Sequence, residues 1–124
     1  MDSHRRLAIL RIVFWLAAAA SLFFALLPHP VQLPGNPNDK LQHIAAFLTL
    51  GALGSFAYPR TNPIYLGAGL SLFGALIEFL QMIPALHRDS DAMDWAADTA
   101  AVALIIILLR WLTGWRSEAA SDKG

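Results

Sequence analysis

The sequence predicts an all-α membrane protein: a bundle of four transmembrane helices with both termini in the cytoplasm. Three observations predict it. Hydrophobic residues make up 56% of the 124 and charged residues only 15%, whereas soluble domains carry about a quarter of their residues charged. The apolar residues come in blocks rather than stripes, and each block approaches the roughly 20 residues that cross a bilayer. Seven of the nine Lys and Arg residues fall on one side of the alternating path these blocks define, which the positive-inside rule assigns to the cytoplasm. The length allows one domain, expected over residues 1–116, with 117–124 as a polar tail. Cysteine is absent, which excludes disulfides, thiol nucleophiles and Cys-based metal sites. No basic patch is interleaved with aromatics, so no nucleic-acid partner is expected.

The first span is read from Leu7 to Leu27, ended by Pro28-His29-Pro30. Arg5 and Arg6 before an apolar run also suit a cleaved leader, but this run is long and no A-x-A site follows it. Residues Pro28 to Asn38, with four prolines and a glycine, form a non-helical connector. The second span runs from about Asp39 to Tyr58, with Asn38 and Asp39 where N-caps belong. The third runs from Pro63 to Ile83, opened by Pro63 and closed by Pro84. The fourth runs from about Asp94 to Leu112, with Gly114 as its terminator and a frayed tail from Ser117.

Sidedness follows from the charges. Arg5, Arg6, Arg11, Arg60, Arg110, Arg116 and Lys123 share one side, and Lys40 and Arg88 the other. Trp111 and Trp115 suit the cytoplasmic aromatic belt and Trp95 the outer one. Ala17/Ser21, Gly51/Ser55, Gly67/Ser71/Ala75 and Ala97/Ala101 are small residues at four-residue spacing, which lets helix backbones approach closely.

With that path, ionisable residues distant in sequence gather at the outer face. Asp39, Lys40 and His43 open the second span, Glu78 and Gln81 close the third, and Arg88, Asp91, Asp94 and Asp98 surround the start of the fourth. Asp39/His43 and Glu78/Gln81 each share a helix face. Counting back from Pro84, Glu78 sits about 9 Å inside the span. Ionisable groups at such depth are costly, face the bundle interior and mark functional sites. The expected partners of Glu78 are Lys40, His43 and Arg88. Each residue also has a plain structural role. Asp39 and Asp94 suit helix caps, Lys40 can snorkel to headgroups, and His43 can join helices through Glu78. His87, Asp89 and Asp91 read as solvated loop residues, and His4 and His29 as inert.

DKLQH at 39–43, IEFLQ at 77–81, Arg88, and DWAAD at 94–98 together resemble the VanZ-like family of small membrane proteins. Asp39, Lys40, His43, Glu78, Gln81, Arg88 and Asp94 match the family pattern in order, over roughly residues 35–112. Asp98 stands where the family usually has Asn, and Ala101 where Gly is common. The first change puts an acid in place of a neutral group, and at that depth an acid needs a proton or a cationic partner. The resemblance implies a cell-envelope role in a bacterial cytoplasmic membrane, with the polar site facing outward. It does not extend to antibiotic resistance.

Two functions suit the cluster. In the first, Lys40, Arg88 and His43 hold the phosphate of an anionic lipid or lipid-linked glycan, and Glu78, Gln81 and Asp94 orient the cations. Asp39 and Asp98 raise the carboxylates to four, which counts against a pure anion site. In the second, the protein is a small intramembrane hydrolase or transferase, with His43 as general base and Glu78 or Asp94 as its orienter. His43 with the carboxylates could also ligate a divalent metal, but the spacing matches no recognised metal motif, so no metal and no cofactor are assigned. The partners expected are membrane lipids, including lipid-linked envelope precursors.

Overall fold

The computed structural model describes residues 2–27, 39–86 and 92–122, with side chains for 2–27, 41–85 and 92–114. Its elements are α1 (Ser3–Ala25), α2 (Asp39–Ala57), α3 (Pro63–Gln81), a 3-10 turn at Pro84–Leu86, and α4 (Ala92–Asp122). The fold is all-helical. The apolar lengths of α1, α3 and of Ala92–Gly114 in α4 are sufficient to cross a membrane, so the chain is compatible with a multi-pass membrane protein. In α2 the described apolar stretch is Leu41–Ala57, shorter than in the other three helices.

Local chemistry explains the helix limits, including where they depart from expectation. Helix α1 starts four residues early, because Asp2 caps it by accepting a hydrogen bond from the Arg5 N–H, satisfying one orphan donor. It ends at Ala25, two residues before Leu27. Asn62 caps α3 through the Ile64 N–H, and Pro63 takes the first turn, where its missing N–H costs nothing. Helix α3 stops at Gln81 rather than Ile83, with Met82 as its C-cap. Glu78 is therefore one turn from the helix end, shallower than its distance from Pro84 implied. Helix α4 begins at Ala92 and puts Asp94 in the first turn. Gly114 does not end it, and no frayed tail starts at Ser117: the helix continues to Asp122. One Gly costs a helix only about 1 kcal/mol, and no proline follows it.

The helices alternate in direction. At one end, Arg11 of α1 donates from Nε to the Ala57 carbonyl (3.0 Å) and stacks 4.8 Å over the Tyr58 ring. From α4, Arg110 donates to the carbonyls of Pro59 (2.7 Å) and Tyr58 (3.1 Å). Residues read as sidedness markers thus also clamp the short α2–α3 connector. The same end has a groove of about 530 Å³, lined by Arg6, Leu10, Ser55, Phe56 and Arg110 among others. At the other end lie the close of α1 and α3 and the start of α2 and α4.

Packing is most extensive between α2 and α4, then between α3 and α4 and between α1 and α2. Phe14, Phe47, Leu50, Leu70, Ile77, Val102 and Ile106 form the core. Gly51 sets the α2–α4 approach: a Cβ there would lie 2.5 Å from Ile105 Cγ2. At Gly74 a Cβ would meet the Phe47 ring at 3.4 Å. Trp95 donates its indole N–H to the Ser71 carbonyl (3.0 Å), and the Ser71 and Thr99 hydroxyls pair at 2.9 Å, so Trp95 also joins α4 to α3. The exterior is largely apolar, and one end of the interior is polar. Leu16, Ile64, Leu72, Phe79, Leu104 and Ile107 are exposed, while His43, Glu78, Gln81, Asp94 and Asp98 are buried. Lipid makes such an exterior favourable, and cohesion then comes from close packing and interhelical hydrogen bonds.

Candidate functional site

Among the described residues, the buried ionisable side chains come from three helices at the end where α2 and α4 begin. His43 is one turn into α2, Glu78 one turn from the end of α3, and Asp98 one turn beyond Asp94 in α4. The His43 Nδ1 lies 3.4 Å from Asp98 Oδ2 and 3.9 Å from Glu78 Oε1. One ligand-type atom from each of the three lies within 4.8 Å of the others. All three are buried, and Asp98 is only 1% exposed. Its Oδ1 is enclosed and has no hydrogen-bond partner among the described residues.

This arrangement sorts the residues singled out in the sequence. His43, Glu78 and Asp98 come together, and His43, one of the three partners expected for Glu78, lies within ion-pair reach of it. Asp98 is the carboxylate nearest the imidazole, ahead of Glu78, so its acidic side chain meets the cationic partner it needs whenever His43 is protonated. Asp94 is buried on the same face of α4, one turn earlier.

Gln81 has a different task. It is 1% exposed and donates from Nε2 to the Ala25 carbonyl at 2.9 Å, which satisfies one of the carbonyls left open where α1 ends. Its amide nitrogen holds α1 to α3. The side chains of Asp39 and Lys40, and all of His87, Arg88, Asp89 and Asp91, lie outside the described residues.

The sequence reading missed the role of Ala25 in the site. No side-chain signal marks it; the only cue is that α1 must end with unsatisfied carbonyls beside a proline-rich connector. Chemically, a buried imidazole with two carboxylates can bind a cation, relay a proton or orient a general base.

No protein-family model, curated protein or solved structure matches the chain.

Proposed function

We propose that the protein resides in a bacterial cytoplasmic membrane with both termini in the cytoplasm, and that its polar end binds the anionic headgroup of an envelope lipid or lipid-linked glycan on the outer side. In this reading all four helices span, α2 reaching the interface through its charged first turn. The observation that carries it is the His43–Glu78–Asp98 cluster. A fold held by packing alone has no need of a buried imidazole and two carboxylates, which are costly to desolvate. The sidedness rests on the seven-to-two division of Lys and Arg, and the envelope role on the VanZ-like pattern of residues 39–43, 77–81, 88 and 94. Lys40, three residues before His43, and Arg88, after α3, supply the charge that meets phosphate. The carboxylates orient those cations.

The enzymatic alternative, a hydrolase or transferase on the same lipid, is favoured by one contact. Asp98 faces His43 Nδ1, as the orienting acid faces the imidazole in a general-base dyad. Asp98 then takes the orienting role expected of Glu78 or Asp94.

Native mass spectrometry of protein purified with its own membrane lipids tests both. A phosphate-bearing lipid is expected on the wild type, reduced about tenfold or more by Arg88→Gln and Lys40→Gln with thermal stability unchanged. Conversion of that lipid on incubation, lost in His43→Gln, selects the enzyme. Phosphate-free lipids alone would overturn the reading.

A further inference from the structure

We propose that His43, Glu78 and Asp98 form the binding site of one divalent transition-metal ion, with one imidazole nitrogen and two carboxylate oxygens as ligands. This goes beyond the headgroup reading and does not rest on it.

Geometry is the first argument. Nitrogen and oxygen ligands sit about 2.1 Å from such an ion, so two of them are about 3.4 Å apart at a tetrahedral angle and about 4.2 Å apart when opposite. The His43–Asp98 separation is 3.4 Å and the His43–Glu78 separation is 3.9 Å. The whole set lies within 4.8 Å, so side-chain rotation that closes the longest separation by up to about 1.4 Å reaches the tetrahedral spacing. The ligands stand on three packed helices, which hold them more rigidly than loops would.

Charge is the second argument. One protonated imidazole does not by itself offset two buried carboxylates, and a low-dielectric interior favours a further cation beside them. A divalent cation with a neutral imidazole brings the same set to zero. The third argument is Asp98 Oδ1, enclosed and without a hydrogen-bond partner among the described residues. A carboxylate that meets His43 through Oδ2 thus keeps a second, desolvated oxygen whose charge is uncompensated by any described hydrogen bond.

The mixed nitrogen and oxygen set suits Zn²⁺ or Mn²⁺, and no soft sulfur ligand is present to select Cu(I). Three protein ligands leave at least one coordination position for water or for an oxygen of a bound anion. Sequence spacing is blind to such a site, because its ligands are 35 and 20 residues apart rather than on one turn.

The test uses the full chain in detergent, stripped with chelator and then dialysed against Zn²⁺ or Mn²⁺ alone. Elemental analysis is expected to find one equivalent per chain, with a rise in Tm that chelator reverses. Asp98→Asn and Glu78→Gln, both nearly isosteric, are each expected to weaken uptake about tenfold or more while circular dichroism stays unchanged. His4→Gln is expected to keep it. Co²⁺ added to the wild type is expected to give visible bands of a four- or five-coordinate ion, a readout that needs no variant. Failure of the wild type to take up metal would overturn the proposal. So would a full equivalent retained in both Asp98→Asn and Glu78→Gln, which would put the ion elsewhere.

Discussion

The imidazole of His43 on α2 meets the carboxylate of Asp98 on α4 at 3.4 Å, across 55 residues of sequence. The contact lies in the most extensive helix interface. It is the point at which the last helix is tied electrostatically to the second.

His43→Ala is expected to destabilise the fold by about 3–5 kcal/mol, because it leaves two buried carboxylates without their imidazole. Asp98→Asn keeps the shape and a hydrogen-bonding group, and is expected to cost about 1 kcal/mol. Thermal unfolding in mild detergent compares the two. Equal losses would show that the imidazole acts by packing alone.

Gln81→Leu removes the donor to the Ala25 carbonyl and leaves a buried acceptor unsatisfied, at a cost of about 1–3 kcal/mol. Its effect on lipid copurification should follow from that lost stability. A variant of normal Tm that nonetheless loses lipid would give Gln81 a direct place in the site.

Gly51→Ala brings a Cβ to 2.5 Å from Ile105 Cγ2, and overpacking of this kind costs about 1–3 kcal/mol. The β-branched Ile105 cannot swing away freely. Gly69→Ala has nothing within 4 Å of its new Cβ and is expected to be neutral or slightly stabilising. Combining Gly51→Ala with Ile105→Ala should recover part of the loss. Thermal melts of the four proteins settle the matter, and an equal effect at both glycines would refute the close approach.

Single cysteines can be introduced freely, since the chain has none. Gly35→Cys and Asp89→Cys are expected to react with an impermeant thiol reagent on intact spheroplasts, and Thr61→Cys is not. Labelling at Thr61 alone would reverse the orientation and turn the polar end to the cytoplasm.

The sequence by itself determined the helices and which of their ends share a side. Apolar runs punctuated by Pro28, Pro59, Pro63 and Pro84 mark out four helices, though not their ends, and an alternating path carries His43, Glu78, Asp94 and Asp98 to one end whatever the details. The tertiary structure decided which of them touch. A helix turns about 100° per residue, so a small change in rotation or in closest approach moves a side chain from one neighbour to another. The rotation is set by how Gly51 admits Ile105, how Phe47 sits against Gly74 and how Trp95 bonds Ser71, none of which is written in spacing along the chain. For that reason Asp98 meets His43 at 3.4 Å, and the Gln81 amide closes the end of α1. Where a helix stops is equally a sum over its neighbours: Gly114 resembles a terminator in isolation, yet α4 continues to Asp122 because the propensity of one residue is small against the cooperativity of the helix.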